Sequence, residues 1–216
     1  MKTIDVKTDI YKKNDEISNR VKEKLNKSHI KTINLLGSPG AGKTTLLEAF
    51  IGMIKSREEI AVIEGDLYTA KDAERIEKLG VKTIQLNTKG ACHLEAHMIE
   101  EAIELLGLKD ERILFIDNIG NLVCTSEFKI GEDYRVAVIS VTEGNDKPLK
   151  YPLMFQTTDV VVLNKIDLLP YTDFSLKLFY KDIKSLNPSA KIIEVSATDG
   201  TNIEEFYRLI NKLCCE

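Results

Sequence analysis

Tryptophan is absent from this 216-residue sequence; histidine occurs three times, cysteine four times and proline five times. Four cysteines in a chain of this length do not make a disulfide framework, and retained free thiols point to a reducing compartment, the cytosol. No run approaches the roughly 18 apolar residues that a membrane span requires. Residues 1–31 are studded with Lys and Asp and lack an apolar core, so they do not read as a secretory signal. Neither charge dominates: Lys plus Arg total 30 against 34 for Asp plus Glu, for a net charge of −4 and a pI near 5.6. A nucleic-acid partner, which would demand a basic stripe, and a membrane partner are therefore not expected. Repeats, low-complexity tracts and Gly/Pro/Ser linkers are missing as well.

What remains is ordinary globular composition, 43% apolar and 30% charged. The length suits one domain with a short appendage. We read residues 1–29 as a charged helical extension, with a weak amphipathic helix around Asn14–Leu25 that sets Ile17, Val21 and Leu25 on one face. It either packs on the domain or serves as a partner-docking arm. Residues 30–216 form the main domain. Seven short Val/Ile/Leu-rich runs, Thr32–Leu36, Ile60–Ile63, Lys82–Leu86, Arg112–Ile116, Val136–Val141, Val160–Leu163 and Lys191–Val195, read as strands buried on both faces. Helical spacing fills Thr44–Lys55, Ala70–Leu79, Leu94–Leu106, Phe174–Leu186 and Ile203–Leu213, with Gly80 and Gly107 at two helix ends. Strand–helix alternation predicts an α/β fold: three layers around a doubly wound, mostly parallel sheet.

Gly37-Ser38-Pro39-Gly40-Ala41-Gly42-Lys43-Thr44 matches G-x-x-x-x-G-K-[ST], and it lies between a predicted strand and a predicted helix. Glycines let backbone N–H groups ring a phosphate, and the helix start adds its positive dipole end. Lys43 would reach the β- and γ-phosphates, the Thr44 hydroxyl would ligate Mg²⁺, and the Thr45 N–H would meet the α-phosphate. Asp117 opens Asp117-Asn118-Ile119-Gly120 at a strand tip and offers a metal-facing carboxylate; Asp66, closing Glu64-Gly65-Asp66, is the second acid and positions Mg²⁺ or the attacking water. Asn164-Lys165-Ile166-Asp167 is N-K-x-D. Asp167 can accept from guanine N1–H and N2–H₂ together, a donor pair adenine lacks. The Lys165 stem would lie over the base, Asn164 would tie this loop to the phosphate loop, and Ser196-Ala197 would supply an N–H to guanine O6. GTP is the predicted nucleotide.

Two of the three histidines cluster in Gly90-Ala91-Cys92-His93-Leu94-Glu95-Ala96-His97. On a helix His93 and His97 share a face, and Cys92 at the helix start would be favoured as thiolate. Cys124 hangs from the loop that follows Gly120. Thiolates with imidazoles suit Zn²⁺, Ni²⁺ or Cu(I) rather than Mg²⁺. The residues alone leave open that both cysteines are merely small hydrophobes and both histidines surface polar groups. Four groups from two loops could fill one shell, and two copies meeting on a two-fold axis would fill it more readily. Cys214-Cys215 reads as a helix end.

These stretches, together with Val141-Thr142-Glu143-Gly144 and Lys147-Pro148-Leu149-Lys150-Tyr151-Pro152, make the chain similar to the hydrogenase nickel-incorporation GTPases, the HypB family, within the SIMIBI class of P-loop GTPases. The resemblance runs from about residue 30 to the end. It implies GTP hydrolysis coupled to nickel delivery into [NiFe]-hydrogenase precursors, a GTP-dependent homodimer, a HypA-type metallochaperone as partner, and Zn²⁺ or Ni²⁺ ligands at Cys92, His93 and Cys124; His97 comes from helical spacing alone. Relatives often carry Glu at the Asp117 position and Pro at the Thr125 position, so a shorter reach and a looser Cys124 loop are expected here. Residues 1–31 contain one His and no Cys, so no nickel-storage stretch is expected there. A urease- or cobalamin-type assembly GTPase, or a metal-storing protein that binds GTP with negligible hydrolysis, are the alternative readings.

Overall fold

The computed structural model describes residues 6–54, 59–67 and 71–215. Two expected helix ends, Lys55 and Ala70, lie outside the described residues. All seven apolar runs are strands: β1 Lys31–Gly37, β2 Ile60–Asp66, β3 Lys82–Asn87, β4 Ile113–Asp117, β5 Tyr134–Ser140, β6 Val160–Asn164 and β7 Lys191–Glu194. They form one sheet in the order β3-β2-β4-β1-β5-β6-β7, and every neighbouring pair is parallel. The helices are α1 Val6–Lys27, α2 Lys43–Met53, α3 Lys71–Glu77, α4 Ala96–Leu106, α5 Cys124–Glu127, α6 Lys147–Lys150, α7 Pro152–Gln156, α8 Leu176–Leu186 and α9 Ile203–Cys215. No helix among the described residues is long and apolar enough to cross a membrane.

Period-two side-chain direction splits each strand between two faces. Ile33, Leu35, Val62, Phe115, Val136 and Val138 point to one face, where α2, α3 and α9 cover them with Leu46, Phe50, Ile76, Phe206 and Ile210. Ala61, Ile63, Leu114 and Ile116 point to the other and meet α4 and α1, while Ala137, Ile139, Val161 and Leu163 meet α7 and α8. Helix α1 is part of this second layer. Its Val21 and Leu25 are buried, each such burial being worth about 1.5–3 kcal/mol. Exposed pairs at Arg20–Glu100 and Lys24–Glu104 align α1 with α4 and contribute little by themselves.

The chain leaves β1 toward one edge, returns through β4, then builds outward on the other side through β5. The crevice at the carboxyl ends of β1 and its neighbours is thus a topological switch point, where open α/β sheets bind ligands. The helix expected from Leu94 begins at Ala96, because Glu95 is extended at φ −108. Gly107 ends it at φ 56, the left-handed conformation its position suggested.

Phe50 is fully buried and meets Phe115 edge-on, with centroids 5.0 Å apart at 68°. Phe50→Ala empties the centre of that face. We expect it to cost about 3–5 kcal/mol, read as a lowered thermal midpoint.

Candidate nucleotide site and adjoining thiol cluster

The loop after β1 carries Gly37 to Gly42 into α2 and bounds a cavity of about 440 Å³ at the switch point. Gly40, Gly42, Lys43, Thr44, Thr45, Asp66 and Asp117 line it, as expected, and Glu64, Asp72 and Arg75 line it too. The glycine at Gly42 has a physical reason: φ is +92, and a Cβ there would meet Asn164 Nδ2 at 2.5 Å. Gly120 lies equally close to the phosphate loop, where a Cβ would meet the Pro39 backbone at 2.8 Å. The D-x-x-G turn therefore rests directly on the phosphate loop.

Asp117 closes β4 with no solvent contact to speak of, and its shorter reach suffices: Oδ2 accepts from the Thr44 hydroxyl at 2.6 Å. Lys43 Nζ stands 3.9 Å from Asp117 Oδ1. Glu64 Oε1 and Asp117 Oδ1 are buried without hydrogen-bond partners among the described residues. Orphaned carboxylate oxygens beside a phosphate loop and a threonine hydroxyl are a donor set that fits Mg²⁺. Burial, then the Asp117 charge, push the Glu64 carboxyl far above the ordinary glutamate value. Burial also raises Asp117, against the opposing pull of Lys43 and Thr44. One ammonium thus faces two acids, and Glu64 is the one that keeps its proton. Asp66 Oδ1 accepts from the Leu67 amide, holding the turn after β2.

The second motif closes over the first. Asn164 Nδ2 donates to Ala41 O at 3.0 Å, and its Oδ1 accepts from the Lys165 and Ala197 amides. Lys165, left-handed at φ 61, donates from Nζ to Gly40 O at 2.7 Å. The Ala197 N–H expected to meet a keto oxygen is thus engaged by Asn164, and the Ser196 N–H bonds Thr201 O. Asp167 stands exposed in the 3₁₀ turn Ile166–Tyr171, outside the phosphate cavity.

Beside this cavity Cys92, His93 and Cys124 present three donor atoms within 4.8 Å of one another. The sulfurs are 3.0 Å apart, and Cys92 Sγ lies 3.5 Å from His93 Nδ1. His93 Nε2 is buried with no hydrogen-bond partner among the described residues, and burial lowers the pKa of the ring, keeping the imidazole neutral. Two sulfurs and a neutral imidazole are the donor chemistry of Zn²⁺ and Ni²⁺ sites.

Two expectations need correction. His93 and His97 do not share a helical face, because α4 starts after His93; His97 lies outside the three-residue group and pairs with Glu95 at 3.4 Å. Cys92 does not sit at a helix start, and its thiol is pushed up rather than down, first by its hydrogen bond with Cys124 and then by burial. The buried Thr125 hydroxyl donates to the Asn121 carbonyl. Asn121 Oδ1 accepts from the Val123 and Cys124 amides, and the Asn121 amide donates to Gly37 O at 2.9 Å. Cys124 is thereby tied to the first glycine of the phosphate loop.

The sequence profile of the CobW/HypB/UreG nucleotide-binding domain matches residues 31–194. Hydrogenase maturation factor HypB of Escherichia coli strain K12 is 43% identical over 212 residues, 98% of this chain and 73% of the relative. The chain belongs to the HypB family. A crystal structure of HypB from Helicobacter pylori in complex with nickel superposes with a TM-score of 0.89 at 38% identity, covering 94% of this chain and 95% of that one. HypB from Archaeoglobus fulgidus gives 0.87 at 35% identity over 94% of this chain and 98% of that one. A LAO/AO transport system kinase, at a TM-score of 0.55 and 16% identity over 98% of this chain and 76% of that one, shares the fold alone.

Sequence reasoning missed Arg75 in this HypB-family chain. Its guanidinium is held by Glu48 and Asp72 and donates to Thr45 Oγ1 at 3.2 Å. No motif marks it, because its place depends on α3 packing beside α2. It also missed that Glu64 is buried, and burial, then the neighbouring Asp117, is what keeps its proton.

That proton gives a pH signature. Glu64's folded pKa lies above its ordinary value of 4.5, so its contribution to stability is complete below that value and is lost as pH rises through the folded value. We expect nucleotide-free protein to weaken toward alkaline pH in thermal melts, and Glu64→Gln to flatten that slope.

Proposed function

We propose that this chain is a GTP-hydrolysing metallochaperone that couples GTP binding and hydrolysis to nickel delivery during [NiFe]-hydrogenase maturation. The observation that carries this reading is the bond from the Asn121 amide to Gly37 O, with Asn121 in turn capping the Cys124 segment. A change at the phosphate loop thereby reaches a thiol through one residue. On the other side of the cleft Gly65 presses on Leu94, where a Cβ would meet Leu94 Cδ1 at 2.9 Å, next to His93. Both ligand-bearing loops therefore abut the phosphate cavity. The E. coli and H. pylori relatives, one named for hydrogenase maturation and one crystallised with nickel, support the same client and cargo.

In this reading Lys43 and the Gly37–Thr45 backbone bind the phosphates, and Thr44, Asp117 and Asp66 hold Mg²⁺. When bound, Mg²⁺ neutralises phosphate charge that develops during transfer. Asp66 orients the attacking water. Asp167 selects guanine, while Asn164 and Lys165 brace its loop against Ala41 and Gly40. Nickel, or zinc in its stead, is held by Cys92, His93 and Cys124, and its arrival displaces the thiol protons. Three donors leave a shell open. Exposed Val123, which precedes Cys124, and exposed Leu153 on α7, which packs on α5, favour closing it with a second copy of the chain in the GTP state. A HypA-type chaperone and the hydrogenase large-subunit precursor are the donor and the acceptor of the metal. A relative named for both hydrogenase and urease maturation keeps urease as a second client.

Binding linkage supplies the test. GTP affinity measured with and without Ni²⁺ should change by the same factor as Ni²⁺ affinity with and without GTP. Equal GTP affinities in wild type and Cys92→Ala, indifferent to Ni²⁺, would remove the coupling. Asp167→Ala should cut the preference for GTP over ATP by about 100-fold, read by nucleotide competition.

A further inference from the structure

Helix α4 starts three residues beyond His93, and its own N-cap residue, Glu95, supplies no side-chain cap. The cap comes from another helix. The Ala96 amide donates to Asn14 Oδ1 of α1 at 2.9 Å. The same side chain donates from Nδ2 to the Lys129 carbonyl at 2.7 Å. An amide N–H can only donate and a carbonyl only accept, so the orientation of this buried amide is fixed by its two partners. One partner follows the Cys92-His93 segment and the other follows the Cys124 helix. No covalent or sheet connection joins these two segments directly.

A second contact runs parallel to the first. The Phe128 ring stacks on His93, with centroids 3.9 Å apart at 24°, and Tyr11 of α1 packs on Phe128 at 4.9 Å. The Tyr11 hydroxyl donates to Glu127. Further along, Val21 fills the space over Gly131, where a Cβ would come within 2.5 Å of it. Arg135 holds the same stretch from beneath through the Ser126 and Phe128 carbonyls. The Cys124 segment is thus clamped between the sheet and α1.

We propose that Asn14 is a positioning residue of the metal centre: by bonding to both segments at once, it sets His93 in register with Cys124, and α1 is a wall of that centre. This rests on the metal-site reading above. Outer residues that orient ligands commonly carry a 10- to 100-fold share of metal affinity. The extension outside the nucleotide-binding core therefore bears on metal capture without touching nucleotide or metal.

Full-length protein titrated with Ni²⁺ tests this, reading the dissociation constant and the thiolate-to-nickel charge-transfer absorption at saturation. Asn14→Ala should weaken Ni²⁺ binding by about 10- to 100-fold and shift the band, with guanine-nucleotide affinity unchanged as the control for folding. Asn14→Asp keeps an acceptor for the Ala96 amide and loses the donor to Lys129. It should be as defective as Asn14→Ala, whereas a purely helix-capping role would leave it like wild type and overturn the proposal. If Asn14→Ala fails to bind nucleotide, Asn14→Asp carries the comparison. A band that survives the double variant Cys92→Ser/Cys124→Ser overturns the metal-site reading and this inference with it. A band lost in that double variant but indifferent to both Asn14 variants overturns this inference alone.

Discussion

The bond between the Asn121 amide and the Gly37 carbonyl constrains everything that surrounds the site. It is the isolated bridge that joins the D-x-x-G loop to the end of β1. Gly120 also packs on Pro39, where a Cβ would not fit, so the loop lies directly on the phosphate loop. The same asparagine spends its side-chain oxygen on the Cys124 turn. Backbone pairing fixes one end of the loop and side-chain capping fixes the other. A lever of a few residues results, with one end on the phosphate loop and a sulfur at the other.

Charge is arranged to keep that lever poised. Two carboxyls, Glu64 and Asp117, are buried against one ammonium, Lys43, at the point where a cation would sit. In water such a cluster would ionise fully; burial makes that costly, so a proton stays on Glu64. The thiol pair obeys the same logic. The sulfurs are 3.0 Å apart, and their hydrogen bond, then burial, push the Cys92 thiol up.

The sheet explains why the two sites are neighbours. β2 and β4 lie side by side, and Asp66 and Asp117 are their last residues. The chain that continues from β3 brings Cys92 and His93 back over the same edge, while the loop from β4 brings Cys124. Helix α1 then closes the outer side through Asn14 and Tyr11. Parallel strands are what make this convergence possible, since all their carboxyl ends open on one crevice.

Much of this was legible in residue order. The seven Val/Ile/Leu runs became strands because a run buried on both faces has few other ways to satisfy its backbone. Gly37–Thr44 and Asn164–Asp167 stood out in the sequence because glycine conformation and base-edge donors demand particular residues at fixed spacing. The residue types raised the pairing of Cys92 and His93 with Cys124 as one possibility, and only family resemblance singled it out, as the two segments lie 32 residues apart. What tertiary structure alone decided was the start of α4, the separation of His97 from the cluster, the proton on Glu64 and the place of α1. Each depends on a partner distant in the chain: Ala96 on Asn14, Glu64 on Asp117, Phe128 on Tyr11. Local spacing encodes which groups a segment carries; which of them meet is set by burial and by the few long-range bonds that burial forces.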